Sequence, residues 1–311
     1  MKTLTNLNDF QKPSNKTIVT IGTFDGVHIG HKFVLKKVIE LAKKNNYKSV
    51  ILTFFPHPRM VLQQDSSIKL LNTVKEKEFL LSKLGIDNLI IHPFDLEFSR
   101  LSAEDFVKEV LVEKLNVGII IIGHDHRFGR NRTATIDDLI EFGKEYNFEV
   151  QKISAKEIDN IAISSTKIRN ALLEGNIDIA NNYLDYNYFI TGKVVAGKQI
   201  GRTIGFPTAN IEVSKNYKLI PKNGVYIISS KINNINYFGM MNIGINPTVE
   251  GLEQKIEVHF FDFEKDIYNQ EVKIEILSRI RDEKKYNSLE ELKIQLRKDE
   301  STSREFIKKR L

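Results

Sequence analysis

The sequence predicts a doubly wound α/β domain followed by a small antiparallel β-barrel with terminal helices. Three observations carry that expectation. From Thr17 to Ile153, β-branched runs alternate with stretches of helical period, the pattern of helices wrapped around a parallel sheet. From Phe189 onward, short β-rich segments follow one another with turn residues and no helix between them, the pattern of a closed antiparallel sheet. With 311 residues the chain exceeds one typical domain, so two cores are expected, with a boundary near Asn187 that separates 1–186 from 187–311.

The elements can be justified in order. Thr17–Ile21 is β-branched and reads as a buried strand; Gly22 and Gly26 break it, and a helical period begins where His28 and His31 stand three apart. Apolar Val34, Val38 and Leu41 make one face of a helix over 31–44. Lys48–Phe54 follows as a strand, 74–84 as a helix and 88–91 as a strand. Ser102-Ala103-Glu104-Asp105 fits a capping box that opens a helix to Leu115. The wholly apolar run 117–122 suits a central parallel strand, buried on both faces. A helix over 135–146 and the strand Glu149–Ile153 complete the domain. In the second domain, strands are expected over 190–195, 208–213, 225–232, 237–243, 255–263 and 272–277, separated by turns such as Asn223-Gly224, Asn233-Asn234 and Pro247. Two helices, 288–297 and 301–311, would cover this barrel, with Ser288 and Glu291 as a capping box.

Composition narrows the function classes. Hydrophobic residues at 41% and charged residues at 28% describe an ordinary globular chain. No apolar run approaches the ~20 residues that cross a bilayer, so no membrane is expected. The first 16 residues lack the apolar core of a secretory signal, which makes the cytoplasm the expected location. The absence of cysteine excludes disulfides, thiolate nucleophiles and Cys-ligated zinc, leaving His, carboxylates, hydroxyls, backbone amides or a hard metal for catalysis. The net charge of +6 is spread over runs such as Lys75-Glu76-Lys77-Glu78, which read as solvated helix faces rather than a nucleic-acid surface. A mild basic surplus also suits a protein that handles phosphates.

A Gly-rich turn feeding a helix N-terminus offers unpaired N–H groups and the positive end of the helix dipole, a good seat for phosphate. His28 and His31 share one face there. His28-Ile29-Gly30-His31 resembles the signature of nucleotidyltransferases, in which the histidines hold the nucleotide phosphates and stabilise charge at the attacked α-phosphate. Three further stretches follow successive strands: Phe55-Pro56-His57-Pro58, then Gly123-His124-Asp125-His126-Arg127-Phe128-Gly129, then Ile163-Ser164-Ser165-Thr166-Lys167-Ile168-Arg169. Each has a plainer use: Pro56 and Pro58 stop a strand, Ser165 caps a helix, and Arg127 pairs on the surface. Their convergence at strand ends favours a triphosphate site.

Together with Gly22-Thr23-Phe24-Asp25-Gly26-Val27-His28, these stretches resemble the adenylyltransferase module of prokaryotic bifunctional riboflavin kinase/FAD synthetases, over about residues 16–185. The resemblance implies that Phe24, His28, His31, Ser165, Thr166 and Arg169 lie by the ATP phosphates, with Gly22, Asp25 and Gly26 as further cofactor-binding residues. It implies that Asp125 and the Pro56-His57-Pro58 turn lie towards the flavin, and that Arg127 and Phe128 are further cofactor-binding residues. Two residues depart from the family pattern, His126 where Phe is usual and Ala134 where Gly is common.

The second domain carries GKQIGRTIGFPTAN, residues 197–210. Gly197, Gly201 and Gly205 let backbone amides approach phosphate, while Thr208 and Asn210 offer oxygens at alternate positions, suited to magnesium. A Gly-rich hairpin in which Thr208 merely favours a strand would use the same residues. The stretch resembles the flavokinase signature ending Pro207-Thr208-Ala209-Asn210. In Ile256-Glu257-Val258-His259, alternation turns Glu257 and His259 to one side, and Glu257 matches the family's general base. Asn242-Ile243-Gly244-Ile245-Asn246-Pro247-Thr248 is also family-like. Arg281-Asp282-Glu283-Lys284-Lys285-Tyr286 resembles the segment that closes over the flavin, with Tyr286 where Phe is usual.

The resemblance therefore implies two ATP-dependent steps with magnesium, riboflavin to FMN in the barrel and FMN to FAD in the α/β domain. Riboflavin, FMN, FAD and ATP are the expected partners, and self-association stays open. Two rivals use the same residues: transfer to another acceptor, such as a phosphopantetheine or a pyridine nucleotide precursor, and a flavin-sensing regulator on a decayed enzyme, with or without RNA binding through its basic surface. Retention of His28, His31, Thr208, Asn210 and Glu257 favours live chemistry.

Overall fold

The computed structural model describes residues 1–63, 67–123, 127–153, 163–197, 200–248 and 251–310. The chain divides into two compact units, Met1–Ser165 and Thr166–Leu311.

In the first unit, six strands form one sheet: β1 (Lys2–Leu4), β2 (Thr17–Ile21), β3 (Lys48–Phe54), β4 (Asn88–His92), β5 (Val117–Gly123) and β6 (Glu149–Ile153). Their order is β1-β4-β3-β2-β5-β6 and every pairing is parallel. Among the described residues they are accompanied by α1 (Ile29–Asn45), α2 (Pro58–Leu62), α3 (Val74–Ser82), α4 (Ala103–Asp105, running on as a π-helix over Phe106–Lys114), α5 (Ile136–Tyr146) and short 3-10 turns at Leu7–Asp9, Phe98–Arg100 and Arg130–Arg132. The apolar run in β5 serves two cores. Ile119 and Ile121 pack with Leu35, Val38 and Leu81 on one face, Ile120 and Ile122 with Val107, Leu111 and Leu139 on the other. The chain order reverses between β2 and β5, so the loops leaving these strands open at the switch point where doubly wound sheets hold ligands.

Three features escaped the sequence pattern. Strand β1 has only three residues and exists by pairing with β4. Helix α2 starts with Pro58 at its first position, where a missing N–H costs nothing, so the prolines that end β3 also begin a helix. Thr73 and Glu76 form a capping box at the start of α3, each side chain bonded to the other's backbone N–H.

The second unit contains α6 (Ser165–Glu174), which begins at the last residue of the first unit, α7 (Ile177–Leu184) and the strands β7 (Phe189–Val195), β8 (Ala209–Glu212), β9 (Gly224–Ile232), β10 (Ile235–Thr248), β11 (Gly251–Phe260) and β12 (Glu271–Arg281). A short α8 (Ile200–Thr203) lies between β7 and β8. The strands close into an antiparallel barrel in the order β10-β11-β8-β7-β12-β9. Asn233 and Asn234 both take positive φ in the two-residue turn joining β9 to β10, the conformation that matches strand twist. Helix α7 is pinned to the barrel through Asn181, which donates to the Ile276 carbonyl at 2.9 Å and accepts from the Tyr188 N–H at 2.7 Å.

The C-terminal segment corrects one expectation. Instead of two helices, one helix α9 (Leu289–Arg310) runs without a break. In the Ser301-Thr302-Ser303 run the Thr302 and Ser303 hydroxyls donate to the carbonyls four residues back, Lys298 and Asp299, at 2.9 and 2.7 Å, so they do not serve to cap a second helix. Ser288 caps its start as expected, accepting from the Glu291 N–H, while Glu291 reaches the Asn287 N–H.

Candidate active sites in the two units

In the first unit the site begins with the loop between β2 and α1. His28 is the N-cap of α1, and its Nδ1 accepts the His31 N–H at 3.4 Å. The two imidazoles stack with centroids 3.6 Å apart, and Phe24 meets His31 edge-on at 5.1 Å. Gly30 leaves room for this stack, since a Cβ there would come within 3.2 Å of the His28 ring. Phe24, Gly26 and Val27 all take positive φ, a conformation that costs a β-branched residue such as Val27 about 1–3 kcal/mol and is found where surroundings impose it.

Burial makes both imidazoles neutral. It pushes the His28 pKa down to about 4, against a partial lift from Asp25, and it drives His31 well below the usual imidazole value, helped by the charges on His28 and Lys77. The Nδ1 of His31 is sealed from solvent with no hydrogen-bond partner among the described residues. A buried polar nitrogen in the first turn of a helix is costly unless a ligand or an ordered water completes it. Around it, Asp25 is only 1% exposed and accepts the Leu71 N–H at 2.9 Å and the Asn72 N–H at 3.3 Å. Ser165, the last residue of the first unit, donates its hydroxyl to the Asp25 carbonyl at 2.8 Å.

The structure thus brings Gly22, Phe24, Asp25, Gly26, His28, His31 and Ser165 together. Thr166 and Arg169 follow on α6 and belong to the second unit. His57 caps α2, accepting the Arg59 N–H at 3.2 Å, next to Pro58 and a cis Phe55-Pro56 peptide bond. Arg127 is exposed, while Phe128 is buried 5.9 Å from the Phe106 ring and bridges Ala134 through paired backbone bonds. Asp125 and His126 lie outside the described residues.

In the second unit the register of the barrel builds the site. Glu257 on β11 stands opposite Asn210 on β8 and Asn242 on β10, so three polar side chains form one row across adjacent strands. Alternation sends Ile256, Val258 and Phe260 into the core and leaves Glu257 and His259 on the other face, half-buried. His259 Nδ1 lies 2.8 Å from the Pro207 carbonyl, and its ring meets Phe206 at 5.2 Å. The glycines upstream keep the loop close: a Cβ on Gly197 would overlap the Asn210 amide, and one on Gly201 would overlap the Phe206 carbonyl. Gly205 takes φ +85°, a left-handed turn that lets Phe206 bond back to Gly201.

Arg281 directs its hydrogen bonds to Asp299, at 3.0 and 2.7 Å to one carboxylate oxygen, and to the Asp282 carbonyl. It thereby fastens α9 to the end of β12. The next residues reach the polar row, since a side chain on Gly244, two residues from Asn242, would collide with the Glu283 carboxylate. Tyr286 stands 5.9 Å from the Arg281 guanidinium. In the sequence Asn242 stood only as the start of a family-like stretch and Lys77 only within a run read as a solvated helix face. The register with Glu257 could have been anticipated for Asn242, whereas Lys77 carries no signal that separates it from the surface lysines around it.

Comparison with known proteins decides what these two sites belong to. A family profile described as FAD synthetase matches residues 10–167, and one described as riboflavin kinase matches residues 184–307. A bifunctional riboflavin kinase/FMN adenylyltransferase of Buchnera aphidicola from Schizaphis graminum is 39% identical over 303 residues, 96% of each chain. The protein of the same description from Escherichia coli K12 is 36% identical over 298 residues, 96% of this chain and 95% of that one. The chain belongs to the bifunctional riboflavin kinase/FMN adenylyltransferase family. Riboflavin kinase and FAD synthetase activities, both dependent on ATP, follow from that membership and its two domains. A solved structure titled as a macrolide-efflux protein from Streptococcus pneumoniae shares the fold, with a TM-score of 0.86 and 33% identity over 97% of this chain and 98% of that one. Among the described residues no helix is long and apolar enough to cross a membrane.

Proposed function

We propose a division of roles in which each unit's loop serves one displacement at phosphorus. In the kinase step the 5′-hydroxyl oxygen of riboflavin attacks the γ-phosphorus of ATP, the bond to the bridging oxygen breaks and ADP leaves. Glu257 takes the hydroxyl proton, a role that contributes ~10²–10⁴ in rate. Gly197, Gly201 and Gly205 admit the phosphates to the backbone. Thr208 and Asn210 are the residues that would hold magnesium, whose charge would offset that of the phosphates. Their hydroxyl and amide oxygens suit a hard cation that shares its shell with phosphate, and among the described residues no cluster of three acidic or histidine side chains competes for it.

In the adenylyl step a phosphate oxygen of FMN attacks the α-phosphorus of a second ATP and pyrophosphate leaves. His28, His31 and the N-terminus of α1 hold the phosphates and meet the charge that develops there; Gly22, Phe24, Asp25 and Gly26 shape the loop. Ser165, Thr166 and Arg169 complete the phosphate side, and His57, Pro58, Asp125, Arg127 and Phe128 the flavin side. This reading assigns residues 1–186 to adenylyl transfer and 187–311 to the kinase, in the cytoplasm.

The observation that carries it is the stacked, neutral His28–His31 pair at the N-terminus of α1, with a buried imidazole nitrogen that has no partner among the described residues. The test is a chromatographic product assay with riboflavin, ATP and magnesium. Wild type should form FMN and FAD, His28→Ala should accumulate FMN, and Glu257→Ala should form neither. FAD production by His28→Ala at the wild-type rate would overturn the histidine assignment.

A further inference from the structure

The run Lys75-Glu76-Lys77-Glu78 looks like a solvated helix face, but half of it is not. Glu76 is 3% exposed and Lys77 6%. Glu76 is accounted for by the capping box of α3. Lys77 is different, because burying an ammonium takes it from water at a cost of several kcal/mol, and an apolar side chain of similar volume would fill the same space without that penalty. A charge kept at such a position needs a reason beyond filling the core.

Its contacts supply one. The Lys77 ammonium donates to the Thr23 carbonyl at 2.6 Å, and the Thr53 hydroxyl donates to the same oxygen at 3.2 Å. Two residues on, the Asp25 carboxylate takes the N–H groups of Leu71 and Asn72, just ahead of the α3 cap. Residues 71–77 therefore grip the phosphate loop on both sides of Phe24, one side through a carboxylate and the other through an ammonium. Phe24 is held between the two grips at φ +46°, with its ring against His31. The conformation of Thr23 to Asp25 sets where that ring lies, and the ring sets the wall against which His31 stacks on His28.

We propose that Lys77 is a positioning residue for adenylyl transfer, fixing the Thr23 carbonyl and, through Phe24, the place of the His31 imidazole beside the nucleotide phosphates. The inference rests on the reading of His28 and His31 as phosphate contacts. Lys77 also helps keep His31 uncharged before nucleotide arrives, since its charge opposes a second one nearby.

The experiment compares the full chain as wild type, Lys77→Met, Lys77→Arg and His31→Ala, with FMN and ATP supplied for adenylyl transfer and riboflavin and ATP for the kinase. Methionine retains the length and removes the charge and the donor. Lys77→Met is expected to keep the wild-type melting profile and kinase rate while kcat for adenylyl transfer falls about 100-fold and KM for ATP moves less than about threefold, the signature of a small misplacement of reacting groups. Lys77→Arg, which keeps a donor and the charge, should recover part of the loss. Wild-type kcat in folded Lys77→Met would overturn the proposal. If Lys77→Met does not fold, Lys77→Gln, which removes the charge and shortens the donor, decides: reduced kcat at an unchanged KM supports positioning, and wild-type kcat overturns it, as does failure of both variants to fold, which would make Lys77 structural. Wild-type adenylyl transfer in His31→Ala would instead remove the histidine reading, independently of Lys77.

Discussion

In the loop after β2, His28 is buried and the His31 Nδ1 is sealed from solvent, and the loop is braced by its own Asp25 carboxylate on the Leu71 and Asn72 N–H groups and by the Lys77 ammonium of α3; on the barrel, Glu257, Asn210 and Asn242 stand on strand faces that remain half open. The first site is prepared by burial. Its groups are oriented by packing and desolvated before any ligand arrives, which strengthens whatever electrostatic contact they make. The second is prepared by register. Antiparallel pairing places Glu257 between two asparagines whatever the surroundings, and ion pairs hold the covering helix in place. Desolvation there would have to come with the substrates.

The contrast predicts different sensitivities. The largest effect should come from the barrel's fastening, where Asp299, 1% exposed, accepts from Arg281 and Gln295. Asp299→Ala leaves the half-buried guanidinium without its carboxylate and should destabilise the barrel unit by about 3–5 kcal/mol, read by hydrogen exchange of β9 and β12 amides. A loss under about 1 kcal/mol would mean that α9 is held by its apolar face instead.

The next effect is the pH dependence of the first unit. His28 and His31 have folded values below the ordinary 6.5, so between about 6.5 and about 4 the unfolded chain binds protons that the folded unit does not. Stability is therefore full above about 6.5 and lost as the pH falls, on the order of 3 kcal/mol for His28 alone. Exchange protection of β2 and β5 amides should drop between pH 7 and pH 4.5, and less steeply in His28→Gln. Equal slopes would show that burial is not what sets this site apart. The smallest effect is the most local. Gly30→Ala puts a methyl 3.2 Å from the His28 ring and should lower adenylyl transfer about 10–100-fold while leaving the kinase rate unchanged. An unaffected rate would show that the imidazole has room to move.

Much of this was legible in the chain. The apolar β5 run announced a strand buried on both faces, the six β-rich segments after Phe189 all became barrel strands, and the His28 and His31 spacing placed both rings on one helix start. These features depend on residues close in sequence, where periodicity and turn chemistry act directly. Others were invisible because their cause is distant. Three residues became β1 only because β4 offers an edge, and the helix runs through Ser301 to Ser303 with the Thr302 and Ser303 hydroxyls spent on carbonyls one turn back rather than on a new cap.

Neighbouring positions were enough to set the sheet and barrel architectures, the glycine turns and the residue types at both sites, because local propensity and alternation act between residues close along the chain. Which charges are buried was settled at longer range. Lys75 and Lys77 are the same residue two positions apart, yet one stays in solvent contact and the other reaches the Thr23 carbonyl. The difference lies in which side of α3 meets the sheet, and that follows from packing across the whole unit.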